Sequence, residues 1–403
     1  MKFKYQAENK NGQKQKGIVE AATQRMAIDL LTQNGLTVIS LKEIKNTAIL
    51  ATLDSLFGGV SAKEFVIFSR QLATLIDSRV PLLNALQSIA SQTENSSFAF
   101  KISSIIVDID GGSSFSDALA KHPETFSNFY VNMVKAGEAS GTLQKTLNDL
   151  ADNMEKNYEL TAKLKGAMYY PAFILFAMIA VGFLVMTFVM PKLLEILMES
   201  SVELPLQTKV LISVSGFLVN YWWAVLIVIF FAVFGIAYYL KTEDGRREFD
   251  KIILKIPIIK IILKNVYVSR FSENLATLIQ SGLPITTALA ITSEVVGNEV
   301  YREVVRNATE EIKRGGQIAE IFGQYSDLFP PIVVQMIQVG EQTGRVEFAL
   351  RKVAEFYIKE TDNIVKNFSS LIEPVLMVFL AIGVGLLVSA VLLPIYQVAT
   401  SIQ

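Results

Sequence analysis

Cysteine is absent from all 403 residues, which excludes a disulfide framework, a thiolate metal site and a cysteine nucleophile. Histidine occurs once, at His122. A single histidine excludes a HExxH zinc site and leaves a serine–histidine triad little to be built from. Beside Pro123 it reads as a loop residue. No Gly-Lys-Ser/Thr phosphate loop occurs, so the chain is not a P-loop ATPase. The run Gly137-Glu-Ala-Ser140-Gly141 is not G-x-S-x-G, so no nucleophile elbow is signalled. Charge of neither sign is in excess: a net charge of −1 gives no basic field to attract nucleic acid. The first residues, MKFKYQAENKNGQ, hold no apolar h-region, so no cleavable signal peptide is expected. Membrane insertion would then use internal segments. No catalytic residue, cofactor site or metal site is legible, which points away from an enzyme.

What the chain does have is apolar residues, 51% of the total, beside 19% charged. Mean hydropathy is +0.39. That balance fits soluble domains alternating with a few membrane spans. The chain also repeats itself. Residues 68–76 read FSRQLATLI and residues 271–279 read FSENLATLI, identical at seven of nine positions. The same offset of 203 residues pairs Pro81 with Pro284, Phe126 with Phe329, Gly137-Glu138 with Gly340-Glu341, and Gly141 with Gly344. It continues through Pro171 with Pro374 and Pro191 with Pro394. Each copy ends in a long apolar run, so the duplicated unit is a polar domain plus a span.

Residues 2–8 and 14–20 alternate polar and apolar around Asn11-Gly12, a hairpin signal. Thr23 can cap a short helix that Gly35 would end, and 36–43 reads as a third strand. Residues 1–45 therefore form a ββαβ module and 46–60 a linker. Ser61-Ala-Lys-Glu64 is a capping box. From there apolar residues recur at helical spacing, predicting a mainly α chain in which each copy is a bundle of about six helices. The expected divisions are a first bundle at 61–170, a span at 171–191, an outward loop at 192–216 and a second span at 217–240. A basic amphipathic linker at 241–265, a second bundle at 266–373 and a third span at 374–396 complete the polytopic chain.

Each apolar run is close to the roughly 20 residues that cross a bilayer. Tyr221-Trp222-Trp223 and Tyr238-Tyr239 mark plausible headgroup levels of the second, and Tyr396 follows the third. Lys163, Lys165, Lys241, Arg246, Arg247, Lys251 and Lys366 flank the spans on one side, which by the positive-inside rule makes 1–170 and 241–373 cytoplasmic. The 191–220 loop and the C-terminal tail then face outward. The stretch KIILKIPIIKIILK, 251–264, is expected to lie along the inner membrane surface.

The most distinctive repeated motif is Gly137-Glu138-Ala-Ser-Gly141 with its counterpart Gly340-Glu341-Gln-Thr-Gly344. One reading is a tight helix–helix turn whose second glycine takes a positive φ, with Thr142 or Thr343 helping to cap the next helix. The other puts the glutamates on exposed corners that bind a partner or a cation. One carboxylate per copy is few for calcium, which takes six to eight oxygens. Tyr170-Pro171 and Glu373-Pro374 stand where the first and third spans begin. Proline there starts a helix segment or kinks a continuous one. A carboxylate costs about 2.5–3.5 kcal/mol at the bilayer centre and much less at its edge. Glu373 therefore reads as an edge residue or as a functional contact.

Taken together, QLATLI…VPLLNAL and NLATLIQSGLPITTAL, the paired GEASGTL and GEQTGRV, and YYP and IEP at the span starts resemble the GspF/PilC family. The leading segment FKYQAENKNGQKQKGIVEAAT resembles the family's small N-terminal module. These are platform proteins of the bacterial inner membrane in type II secretion and type IV pilus machines. One departure is Ser78-Arg79, where the family has a small residue and glycine, as in Ser281-Gly282 here. The resemblance implies a non-enzymatic scaffold without a cofactor. Its bundles would contact a hexameric assembly or secretion ATPase, and its spans would guide pilin or pseudopilin subunits from the lipid bilayer into a filament. Rigid helices would carry the motor's motion to the membrane. Other inner-membrane components and further copies of the chain are implied partners, and nucleic acid is not. A permease built on parallel repeats is the alternative, although 171–190 offers only Thr187 as a polar side chain.

Overall fold

The computed structural model describes residues 2–9, 14–20, 24–33, 36–43, 59–191 and 206–401. Asn11-Gly12, most of the 46–60 linker and residues 192–205 of the expected outward loop lie outside the described residues. The N-terminal module has the expected ββαβ order: β1 (Lys2–Asn9), β2 (Lys14–Glu20), α1 (Gln24–Gln33) and β3 (Leu36–Glu43). Its antiparallel sheet runs β2-β1-β3, with Phe3 opposite Val19 on one side and Glu43 on the other.

The first repeat follows as α2 (Ala62–Asp77), α3 (Leu82–Gln92), α4 (Ser96–Asp110), α5 (Phe115–Ala120), α6 (Asn128–Ser140) and α7 (Leu143–Leu184), continued by a π turn, Val185–Val189. Next come α8 (Leu206–Tyr239) and α9 (Glu243–Ile253). The second repeat reproduces the first: α10 (Pro257–Gln280), α11 (Ile285–Val295), α12 (Glu299–Lys313), α13 (Ile318–Gly323), α14 (Pro331–Thr343) and α15 (Val346–Ser401). The capping box is formed, with Glu64 N–H donating to Ser61 Oγ at 3.2 Å and Ser61 N–H to Glu64 Oε2 at 2.8 Å.

The chain divides into two compact units, one of Met1–Glu159, Arg270–Gly297 and Tyr301–Ala354, the other of Leu160–Ser269, Asn298–Val300 and Glu355–Gln403. In the first unit each repeat builds its core on aromatic rings. Phe68 meets Phe98 at 5.3 Å and Phe126 at 5.8 Å. Their counterparts at the 203-residue offset behave alike, Phe271 meeting Phe329 at 5.0 Å and Tyr301 meeting Phe329 at 5.6 Å. Tyr301 adds a hydroxyl to the ring of Phe98, and that hydroxyl is satisfied by donating to the Leu328 carbonyl at 3.0 Å.

The turn at Ser78-Arg79 keeps the backbone shape of Ser281-Gly282 in the second repeat despite its missing glycine. Arg79 itself takes φ 61°, beside φ 85° at Gly282. An L-residue held there costs roughly 1–2 kcal/mol. Arg79→Gly is therefore expected to raise stability by about 1 kcal/mol, seen as a higher thermal midpoint by circular dichroism.

His122 accepts the Phe126 and Thr125 N–H groups on its own carbonyl, as a turn residue does. Its ring is mostly buried, and Nε2 lies in the interior without a hydrogen-bond partner. Burial lowers its pKa; Lys101 and Lys121 also push it down, while Glu124 and Asp108 oppose the shift. The fold thus favours the neutral ring. Its stability contribution is complete above the unfolded value of about 6.5 and is lost as pH falls through the lowered folded value. A His122→Gln chain is expected to lose less thermal stability than the parent between neutral pH and pH 5.

Among the described residues three helices are long and apolar enough to cross a membrane: Leu143–Val189, Ser213–Tyr239 and Val346–Gly385. Only 6, 0 and 6% of their most apolar windows is buried, so lipid or protein must cover them. α8 begins at Leu206, ahead of residue 217 where the apolar run alone suggested a start, because a helix does not end where its side chains become polar. Its backbone breaks at Tyr221, φ −126° and ψ 19°. Ser215 is buried, and its hydroxyl donates to the Met186 carbonyl in the π turn at 2.6 Å, taking up an oxygen that the wider turn displaces.

Candidate functional site

The two Gly-Glu corners are built alike from the backbone up. α6 and α14 end at Gly141 and Gly344, at φ 70° and 68°. Thr142 N–H reaches back to the Gly137 carbonyl at 2.8 Å and Arg345 N–H to the Gly340 carbonyl at 2.9 Å, the six-to-one bond of a Schellman turn. The first glycine of each motif has a different task. A Cβ on Gly137 would stand 2.6 Å from Thr146 Oγ1, and one on Gly340 would stand 2.8 Å from Val346 Cα. Each marks a place where the two arms of a helical hairpin touch, which the motif's spacing alone does not disclose.

The glutamates do not stand free at these corners. Both are half-buried. Glu138 accepts the Phe115 N–H at 2.7 Å and the Ser116 N–H at 3.0 Å. Glu341 accepts the Ile318 N–H at 2.6 Å and the Ala319 N–H at 3.0 Å. Each carboxylate therefore caps the first turn of the short helix that precedes its own, satisfying donors that a helix start leaves open. Ser114 adds its own cap to α5, accepting from Asp117 N–H at 3.1 Å, whereas Gln317 supplies no side-chain cap to α13. Among the described residues no group of three or more His, Cys, Asp or Glu side chains is placed to hold a metal ion.

The repeats meet along a seam that sequence reasoning missed. Asn153 on α7 donates to Asn274 on α10 at 3.0 Å, with both side chains buried. Lys156 pairs with the buried Glu273 at 2.7 Å, and Asn128 donates to Glu294 at 2.7 Å. A cavity of about 200 Å³ lies along this seam, with Phe129 on one side and Val295 on the other. The signal available in the sequence was the mismatch at the repeat offset. Glu273 and Asn274 are matched by Arg70 and Gln71, and Arg70 turns to its own repeat, meeting Asp152 and Glu155 at 2.5 Å each.

The prolines of the membrane section lie inside continuous helix: Pro171 within α7 and Pro374 within α15. Glu373 is exposed on α15. Nearby, Lys163 pairs with Asp362 at 2.8 Å, joining α7 to α15.

Comparison with known proteins matches this duplicated architecture. The family described as Type II secretion system (T2SS), protein F, matches residues 68–191 and again 271–394. The description Type II secretion system protein F, N-terminal domain, matches residues 1–42. The chain is 36% identical to the type IV pilus assembly protein PilC of Thermus thermophilus over 397 residues, 98% of each chain. It is 35% identical to PilC of Myxococcus xanthus, over 100% of this chain and 96% of the relative. Similarity to the type II secretion system protein F of Pseudomonas aeruginosa is 30%, over 98% and 97% of the two chains. With both bundles, the leading module and three membrane-length helices accounted for, the chain belongs to the type II secretion system protein F family, which includes the PilC proteins of type IV pili.

Proposed function

We propose that this chain is the inner-membrane platform of a type IV pilus or type II secretion machine, coupling a hexameric cytoplasmic ATPase to the assembly of pilin or pseudopilin subunits into a filament. The observation that carries the reading is similarity along 98% of the chain to proteins named for both machines. In this reading the chain acts as a scaffold and self-associates. Both bundles face the cytoplasm, and the C-terminus lies outside. The paired contacts of Glu138 and Glu341 support a structural role for the corners, leaving the ATPase to bind elsewhere on the bundles. Pro171, Glu373 and Pro374 would sit at the cytoplasmic edge of the bilayer, where an exposed carboxylate can stay hydrated.

The test is co-purification of the full chain from gently solubilised membranes. Recovery of a hexameric ATPase together with pilin-like subunits is expected, and recovery of neither overturns the reading. Because the chain has no native cysteine, its orientation can be read from single cysteines. In intact spheroplasts, an impermeant maleimide is expected to label Ser200→Cys and to leave Ser140→Cys and Ser326→Cys unmodified.

A further inference from the structure

α9 is built inside out. An amphipathic helix facing water hides its apolar side chains and shows its charges. In α9 the buried positions are Gly245 and Asp250. A Cβ on Gly245 would collide with the Tyr239 carbonyl, so the first turn of α9 is pressed against the end of α8. Asp250 accepts the Glu299 N–H at 2.8 Å, and Arg246 lies 3.6 Å from Glu299. The apolar side chains are left outside: Phe249 is 43% exposed and Ile252 57%. Three residues apart, they share one stripe of the helix. Ile256 in the turn after α9, and Ile259 and Ile261 at the start of α10, are exposed as well. α9 cannot roll to hide the stripe without giving up the contacts of Gly245 and Asp250. All of these residues belong to the second compact unit.

This surface begins where a membrane-length helix ends. α8 runs to Tyr239, and the exposed rings of Tyr238 and Tyr239 are of the kind that settles at headgroup level. Thr242 N–H returns to the Tyr239 carbonyl at 3.0 Å, and α9 starts at Glu243. At a rise of about 1.5 Å per residue, Ile252 lies within about 15 Å of that turn. Residues 251–264 hold four lysines and no acidic residue, and Lys255 and Lys260 are exposed. The first repeat has no matching extension. α10 begins at Pro257, whereas its residue corresponding to Ala62, the first of α2, is Asn265.

We propose that α9 and the first turns of α10 form an interfacial anchor in the headgroup layer at the end of α8. Phe249, Ile252, Ile256 and Ile259 sit among the ends of the acyl chains, and Lys255 and Lys260 among anionic lipid headgroups. The occupant of the stripe is lipid because the chain has left the bilayer only a few residues earlier. Lysines interleaved with the isoleucines also complement a negatively charged leaflet. The lysine–isoleucine run of 251–264 was expected along the membrane surface; the anchor reaches back to Phe249, and the buried Asp250 fixes which face of α9 meets the lipid. Through the same carboxylate the anchor sets where α12 begins. The inference rests on the membrane-length helices and not on the platform reading, which stands if the anchor fails.

The cysteine-free chain allows a single fluorophore to be placed on either face. The full chain carrying Ile252→Cys or Arg247→Cys is labelled with a polarity-sensitive nitrobenzoxadiazole and placed in nanodiscs of phosphatidylcholine and phosphatidylglycerol. Arg247 is exposed, on the face of α9 opposite the stripe. The Ile252 label is expected to emit at shorter wavelength, and lipids brominated high on the acyl chain are expected to quench it about five-fold more than the Arg247 label. In phosphatidylcholine alone that quenching should fall about two-fold, and Lys255→Gln with Lys260→Gln should give the lower value in both lipids. Equal quenching of the two labels overturns the anchor. So does a blue-shifted Ile252 label that brominated lipid does not quench, since protein would then cover the stripe. Equal quenching in the two lipids overturns the part assigned to the lysines.

Discussion

Gly340→Ala is expected to destabilise the second repeat by about 3 kcal/mol, the upper part of the usual range for overpacking a tight contact. The added Cβ would stand 2.8 Å from Val346 Cα and 3.1 Å from Ala349 Cβ. Backbone cannot rotate aside, so α14 and α15 must separate at the point where their hairpin is tightest. For a compact unit of the size that holds both repeat cores, the thermal midpoint should fall by roughly 6–12 °C. Gly137→Ala is expected to cost less, because its near neighbours, Oγ1 at 2.6 Å and Cβ at 2.8 Å, belong to the Thr146 side chain. Combining Gly137→Ala with Thr146→Ala should recover part of that loss, since it removes the nearest atom. Thermal unfolding of the solubilised chain by circular dichroism distinguishes the cases. A Gly340→Ala midpoint equal to the parent's would show that the hairpin has slack the geometry does not suggest.

Removing the corner carboxylates should be nearly as damaging. Glu341→Ala leaves the Ile318 and Ala319 N–H groups without their acceptor. Hydrogen bonds to a charged group contribute about 1.5–3 kcal/mol each, and water can replace part of the loss at a half-buried site, so a net cost of about 3 kcal/mol is expected. Glu138→Ala should cost less, because Ser114 still caps α5. Glutamine at either position keeps one oxygen but points an amide donor at a donor, so it should fall between parent and alanine. Hydrogen exchange gives the local readout: the α13 amides should lose protection in Glu341→Ala before the rest of the repeat does. Equal protection in parent and variant would mean that the carboxylate caps nothing of consequence.

These two predictions separate what local sequence could carry from what it could not. The capping box at Ser61–Glu64, the left-handed glycines at 141 and 344 and the three apolar helices all declare themselves within a few residues, and the structure realises each. The 203-residue offset made the second bundle readable from the first. What stayed hidden was contact at a distance. Glu138 reaches back 22 and 23 residues to the N–H groups of α5, and no local pattern links a glutamate to a helix that far upstream. Gly137 and Gly340 looked like turn residues because they lie beside one, while their task is set by Thr146 and Val346 on the facing helix. The prolines were ambiguous for a related reason. A proline's lost hydrogen bond can end a helix or be absorbed within one, and the structure continues both helices through Pro171 and Pro374. The face on which two repeats meet is likewise a tertiary choice, visible in the sequence only as the places where the repeats disagree.

The disagreement at Arg70 and Glu273 bears on how the chain assembles. A protein made of two near-copies can fold with the wrong sister in place, a failure that duplicated chains share with tandem arrays. During synthesis the first repeat emerges alone, and α7 carries Lys156 before its proper partner exists. If the α2 surface of another nascent chain approached α7 in place of α10, Lys156 would confront Arg70, a cation held by Asp152 and Glu155. The correct sister offers Glu273 at 2.7 Å. One inverted charge between otherwise similar helices thus lets the growing polypeptide tell its own later half from its neighbour's earlier one, so that crowding on a polysome does not turn a duplicated gene into a tangle.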